Sequence, residues 1–389
     1  MNLKPPFRAD VVGSYLRPDY LHQARRDFAA GTITQAKLTE LENQAITELV
    51  SKQKQAGLNV ITDGEFRRSW WHLDFMWGLG GIEKAEIEQG YQFAKVETRA
   101  ESVRLTGKIT GHNHPFIEHY KFLQSLADDS VVARLTAPAP AQFLKELLRP
   151  CNIEHTRSIY PNPDLLVDDI AAAYQVFIQE LYQAGCRNLQ LDDCTWGMLT
   201  DPKVAAASVG QSQCGCGDTH DFDHAGSIAA LKQQLLTVNN QALAGAPDDL
   251  VLTTHVCRGN YRSTWAASGG YQPVADALLG KEDFSAFYLE FDTDRAGDFT
   301  PLKELAPGKK VVLGLVSSKT GELESVESVI ARISEASQFV PLDQLYLSTQ
   351  CGFASTEEGN ALTEQQQWDK IALVKHIADK VWGKQVNAA

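Results

Sequence analysis

Leu252-Thr253-Thr254-His255-Val256-Cys257 is the stretch on which the reading of this chain turns. It reads as a buried strand whose last turn exchanges apolar side chains for an imidazole and a thiol. Residues two apart on a strand share a face, so His255 and Cys257 point the same way, close enough to share one ion. An H-x-C pair alone says little, because a buried cysteine is usually inert packing and a buried histidine is usually just hydrogen-bonded. Two later runs add to it: Phe287-Tyr288-Leu289 leads to Glu290, and Leu345-Tyr346-Leu347-Ser348-Thr349-Gln350 leads to Cys351. His255, Cys257, Glu290 and Cys351 together make a mixed N, S and O shell that suits zinc.

Working outward, eight strand-like runs end at Ser14, Glu65, Thr136, Asp192, Cys257, Glu290, Ser317 and Cys351. Helical patterns lie between most of them. One begins near Ile33, with Thr32 and Gln35 as a capping box, Leu38, Leu41, Ala45 and Leu49 at helical spacing, and Gly57 as its stop. Another runs over residues 168–184, followed by Gly185 and a strand that exits at Asp192. Apolar strands alternating with helices imply parallel pairing, and eight such units predict a closed (β/α)8 TIM barrel. A doubly wound open sheet is the alternative, but no G-x-G-x-x-G follows the first strand. The expectation is one catalytic domain over residues 1–389, interrupted at about residues 81–129 by an insertion after the second βα unit. Residues 91–96 and 102–106 read as the strands of a β-hairpin in that insertion.

Composition narrows the function classes. A net charge of −13 argues against a nucleic-acid binder. No apolar run approaches the roughly eighteen residues of a membrane span, and no apolar signal core opens the chain, which reads as cytoplasmic. Seven cysteines, an odd number, suit metal or reactive thiols better than a disulfide framework. Cys214 and Cys216, with His220 and His224 behind them, form a second candidate metal cluster without flanking strands.

Two thiolates, a carboxylate and a neutral imidazole would leave zinc with a formal charge of about −1. Such an ion activates water poorly and is better suited to holding an incoming thiol as a nucleophilic thiolate. Alkyl transfer to a thiol is the reaction class indicated, ahead of hydrolysis.

Thr253-Thr254-His255-Val256-Cys257, a strand-end glutamate and Gln350-Cys351-Gly352 resemble the catalytic half of cobalamin-independent methionine synthase, over essentially the whole chain. The run His255-Val256-Cys257-Arg258-Gly259-Asn260-Tyr261-Arg262-Ser263 resembles that family's short, single-barrel branch. The resemblance implies zinc on His255, Cys257, Glu290 and Cys351, and methyl transfer to homocysteine to give methionine. It implies that Val12, Gly13 and Ser14 hold the amino acid's carboxylate and that Glu65 and Asp192 act at its ammonium. Asp193 and Asp292 are candidates for orienting ligands. The family's seventh strand ends in a histidine that helps protonate the folate leaving group, whereas this chain has Val316-Ser317-Ser318-Lys319. Either His112 or His114 reaches in to protonate methyltetrahydrofolate, or the donor is another methyl carrier with a better leaving group; the partners to expect are a homo-oligomer or a methyl-delivering protein. Trp70, Trp71, Trp196 and Trp265 are either a pterin-stacking platform or core. Two other readings stand beside this one: a zinc alkyltransferase for coenzyme M, whose sulfonate would need Arg67, Arg68, Arg258 or Arg262, and a zinc- and thiol-binding protein without turnover.

Overall fold

The computed structural model describes residues 3–210 and 228–383. In chain order its strands are β1 (Val60–Ile61), β2 (Gly80–Glu86), β3 (Glu101–Thr110), β4 (Val132–Ala133), β5 (Leu135–Pro138), β6 (Asn188–Asp192), β7 (Val251–Val256), β8 (Ala286–Glu290), β9 (Lys310–Val316) and β10 (Leu345–Thr349). Six of them form a sheet in the order β10-β9-β8-β7-β6-β5, with every pair parallel. β1 pairs in parallel with β4. Arg134, at the break between β4 and β5, donates its N–H to Ile61 at 2.9 Å.

Residues 9–14 close the ring. Ala9 bridges in parallel to Leu347 of β10, and Ser14 bridges in parallel to Gly64 just past β1. This is the expected (β/α)8 barrel, with its first strand reduced to two bridges. The cause is local: Gly13 sits at φ 142, and the Asp10 carboxylate accepts hydrogen bonds from the Phe7 and Val11 N–H groups. Strands β6, β8 and β10 are buried along their whole length, as parallel strands covered by helices must be.

The helices differ from the sequence reading at their starts. Helix Gln35–Gln55 is capped by Thr34, which accepts from Lys37 N–H. Thr32 instead donates its hydroxyl to Asp27, at the end of helix Asp19–Ala29, which periodicity did not single out. The second helix begins earlier, at Pro163, because Asn162 caps it and proline suits the first helical position. Gly57 and Gly185 follow their helices at positive φ, as stops.

The hairpin also needs correction. Its strands are β2 and β3, antiparallel, with Ile82 opposite Leu105. Residues 91–96 form the loop beyond them, holding a single bridge between Gln92 and Glu97. β2 alternates poorly because only Ala85 is fully buried and two of its residues are glycine, so no strand signal marked it. The loop bends back onto the barrel, where Ala94 N–H donates to Trp265 at 2.8 Å. Helix Phe116–Ser125 then leads into β4.

A polar cluster lies behind β6. The Asn239 side-chain amide donates to both Asp193 and Glu282, and Trp196 Nε1 donates to Glu282 at 2.8 Å. Burial, and then the Asp193 charge, push Glu282 up to about 8. A carboxyl whose folded pKa lies above its unfolded value favours folding at low pH, and that contribution is lost as pH rises towards the folded pKa. Glu282→Gln should therefore lose less stability than the parent between pH 5 and 8. The gap between their unfolding free energies from urea titration should widen with pH, by about 1.4 kcal/mol per pH unit at most.

Candidate active site

The sequence placed its chemistry at strand ends, and the barrel gathers those ends at one mouth. A cavity of ≈ 420 Å³ there is lined by Val12, Ser14, Glu65, Asp192, His255, Cys257 and Cys351, among others. Parallel register explains the convergence, with Asp192 opposite His255 and Glu290 opposite Gly314.

Three of the four expected metal ligands come together: the ligand atoms of His255, Cys257 and Cys351 all lie within 4.8 Å of one another, and all three residues are buried. The two sulfurs are 3.7 Å apart. Neither ring nitrogen of His255 has a hydrogen-bond partner. Two orphaned imidazole nitrogens beside two thiols lack an electrophile, and a divalent metal meets that need. Burial alone would lower the His255 pKa, but the thiolate of Cys257, Asp192 and Glu290 outweigh it and move it up. Cys257 is held well below the ordinary thiol range because the Cys194 and Cys351 thiols donate to it. The Gly259 N–H also points at its sulfur, at 3.2 Å. That turn needs glycine: φ is 97, and a Cβ would sit 2.7 Å from Ala266 N.

Glu290 stands outside this group. Its carboxylate accepts from Gln350 Nε2 at 2.7 Å and Arg258 N–H at 2.9 Å. Lys319 Nζ lies 3.5 Å from it and has no hydrogen-bond partner. Burial opposes the ammonium of Lys319, but Glu290 and the two thiols raise its pKa. Lys319 thus keeps its proton and offsets the negative charge of the site. Cys194 was not singled out from sequence, because it follows β6 with no partner in a motif; register brings it beside Cys257.

The two acids stand as neighbours. Burial pushes Asp192 up to about 7, with Glu65 raising it further against the opposing His255. Glu65 is raised by burial against Arg68 and Arg17. One Glu65 oxygen accepts from Thr136 at 2.8 Å, and the other is buried without a partner. Glu65 also has φ 62, a strained conformation for a residue with a Cβ. Such strain gathers where a side chain must be aimed. Ser14 lies against the loop after β10: its hydroxyl accepts from Ala354 N–H at 3.3 Å, and a Cβ on Gly352 would meet it at 2.0 Å.

Other candidates fall elsewhere. Asp193 is taken up by Thr195 and Asn239, and Asp292 faces Arg295 at 3.5 Å. His112 is exposed against Glu180. His114 is buried, with its Nε2 on the Phe75 carbonyl. Trp70 and Trp71 line the cavity, whereas Trp196 is core and Trp265 lies under Arg295. Arg67, Arg68 and Arg258 are engaged by Glu42, Glu65 and Glu290. Cys214, Cys216, His220 and His224 lie outside the described residues.

The family model described as cobalamin-independent synthase, catalytic domain, matches residues 7–372. The chain belongs to the cobalamin-independent methionine synthase family. Among its relatives in that family, the uncharacterized protein YxjH of Bacillus subtilis (strain 168) is 46% identical over 381 residues, 97% of this chain and 96% of that protein. A Listeria monocytogenes structure, provisionally named a vitamin-B12-independent methionine synthase, superposes with a TM-score of 0.72 at 36% identity, covering 98% of this chain and 100% of that one. The B12-independent methionine synthase of Shewanella sp. W3-18-1, solved with selenomethionine, shares the fold at a TM-score of 0.69 and 18% identity, covering 96% and 97%. Membership makes this chain a methionine synthase-like methyltransferase. No helix among the described residues is long and apolar enough to cross a membrane.

Proposed function

We propose that this protein transfers a methyl group to the thiol of homocysteine, using zinc held by His255, Cys257 and Cys351 with Glu290 as the fourth donor. The observation that carries the reading is the buried His255, with both nitrogens unpartnered, within 4.8 Å of two cysteine sulfurs. Bound there, zinc would supply the Lewis acidity that keeps the acceptor thiol deprotonated near neutral pH. The protein's own groups do the rest. Glu65 and Asp192 receive the ammonium of the amino acid, at the Glu65 oxygen that Arg68 and Thr136 leave without a partner and at the buried Asp192 carboxyl beside it. Val12, Gly13 and Ser14 hold its carboxylate where the loop after β10 meets the first strand. Lys319 balances the negative charge around Glu290. Coenzyme M fits less well, because it has no ammonium for the two acids and three of the four candidate arginines are already paired.

The direct test is zinc analysis followed by calorimetric titration of homocysteine and of coenzyme M. Labelled methyl is then followed from donor to methionine. Preference for coenzyme M, or a bound thiol that never gains the label, would refute the proposal. Asp192→Asn separates recognition from metal binding. One charge-assisted contact contributes on the order of 1.5–3 kcal/mol, so homocysteine should bind about tenfold to a hundredfold more weakly at unchanged zinc content.

A further inference from the structure

Zinc on His255, Cys257 and Cys351 leaves one place in a tetrahedral shell. Two further donors border these three, whose ligand atoms lie within 4.8 Å of one another. One is Glu290, the carboxylate already given that place. It is fully buried, and both its oxygens are occupied: one accepts from Gln350 Nε2 at 2.7 Å, with Lys319 Nζ 3.5 Å away, and the other accepts from Arg258 N–H at 2.9 Å. The other donor is Cys194, whose thiol donates to the Cys257 sulfur.

Backbone contacts fix Cys194 there. β6 and β7 pair in parallel with Asp192 opposite His255, and Asp193 N–H donates to the His255 carbonyl at 2.8 Å. Two residues further along each segment, Cys194 stands beside Cys257. Asp193 caps the helix Cys194–Leu199, accepting from Thr195 N–H at 2.8 Å. Gly197 brings that helix so close to β7 that a Cβ would lie 2.0 Å from the Cys257 carbonyl oxygen. Arg258 adds a tie from its Nε to the Thr200 hydroxyl at 3.3 Å. Cys186 is buried and donates to a backbone carbonyl, whereas Cys194 is partly exposed and lines the cavity beside Cys257 and Cys351. An incoming ligand can reach it.

Zinc accepts sulfur and oxygen donors alike, and its filled d shell imposes no geometry. A thiolate carries the same charge as a carboxylate, so exchanging Glu290 for Cys194 keeps the formal charge of the site at about −1. A tethered thiol also has a high effective concentration against any thiol in solution.

We infer that Cys194 is an exchangeable zinc ligand, which takes the fourth position in alternation with Glu290 while no acceptor is bound and yields it to the homocysteine thiol. In the exchange the zinc–sulfur bond to Cys194 breaks and the bond to homocysteine sulfur forms. The proton of the incoming thiol passes to the departing Cys194 sulfur. The acceptor thus becomes a thiolate with no proton released to solvent. The inference rests on the zinc and homocysteine proposals above and gives their site a further residue.

Cobalt(II) in place of zinc makes the exchange visible, because each thiolate on it adds a share to the sulfur-to-metal absorption in the near ultraviolet. The parent, Cys194→Ala, Cys194→Ser and Cys186→Ala are loaded with cobalt, and the band is read before and after homocysteine is added. In the parent one thiolate replaces another, so the band should hardly change. Cys194→Ala should start lower by about one third and then gain about one half, as two thiolates become three. Cys194→Ser, nearly isosteric, should give the same result and guards against a packing defect; Cys186→Ala should match the parent. Calorimetry of the zinc-loaded proteins near neutral pH, in two buffers of different ionisation enthalpy, should find about one proton released per homocysteine in Cys194→Ala and close to none in the parent. Equal bands in the empty parent and Cys194→Ala, or a gain of one half in the parent, would overturn the inference and leave the zinc site standing. No thiolate band in any of the proteins would overturn the zinc site itself, and a band that homocysteine never changes in Cys194→Ala would overturn sulfur binding by the acceptor.

Discussion

Cys351→Ser is expected to yield a folded chain that holds less than a tenth of the parent's zinc and makes no detectable methionine. Cys351 is 3% exposed and 3.7 Å from Cys257, beside an imidazole with no other partner. Serine keeps the shape but offers an alcohol, whose proton a metal removes far less readily than a thiol's. Cys257→Ser should behave alike, because Cys257 is the thiol that its neighbours hold lowest. Cys186→Ser is the control: that thiol is buried but donates to Asn188 O at 3.4 Å, on the flank of β6. Metal content by atomic emission and circular dichroism of each variant decide the matter. Full zinc in Cys351→Ser would move the metal to another cluster.

The second large effect concerns stability. Asp10 and Arg134 are both fully buried inside the barrel and paired at 2.9 Å. Tyr288 donates to Asp10 at 2.9 Å, and Arg134 donates to the carbonyl of Val11 at 2.7 Å. The pair thus links the first strand, the β4–β5 break and β8 beneath the site. Replacing one member leaves a buried charge without compensation, at about 3–5 kcal/mol. Asp10→Ala should lower the unfolding free energy from urea titration by that amount. Residues 9–14 join the ring by only two bridges, so the loss should appear first as opening of the first strand, read as faster amide exchange at residues 10, 15 and 347, whose N–H groups donate across it. Asp10→Asn combined with Arg134→Met should recover most of the stability, because replacing both charges avoids the unpaired one. A double variant that loses the sum of the two single losses would show that the pair contributes no coupling.

Much of this protein was legible from its residues alone. Strands β6 to β10 are apolar, short and followed by polar residues with reactive side chains, and parallel barrels put such exits at one mouth. His255, Cys257 and Cys351 could be chosen because strand alternation and ligand chemistry agree without tertiary information. Glu65 and Asp192 could be chosen because they stand at strand ends, although their raised pKa values needed the burial that only the folded chain supplies.

Other features depended on contacts between distant segments. The first strand survives as two bridges because Gly13 and Asp10 bend it, and its place in the ring depends on Leu347 and Gly64. β3 was legible at residues 102–106, but its partner β2 carried no alternation, and only cross-strand pairing shows that β2, not residues 91–96, completes the hairpin. Lys319 ends the run that stands in place of the family's histidine; only the fold shows it beside Glu290 and two thiols, where its proton is held more tightly. Glu290 reads as a ligand by position, and only the fold shows Gln350 and Arg258 holding it. Cys194 was an unremarked thiol after β6. It meets Cys257 because β6 and β7 pair in parallel with Asp192 opposite His255. Residue type and periodicity determine which groups a strand end presents; the charge, proton and free lone pair of each depend on what the rest of the chain packs against it.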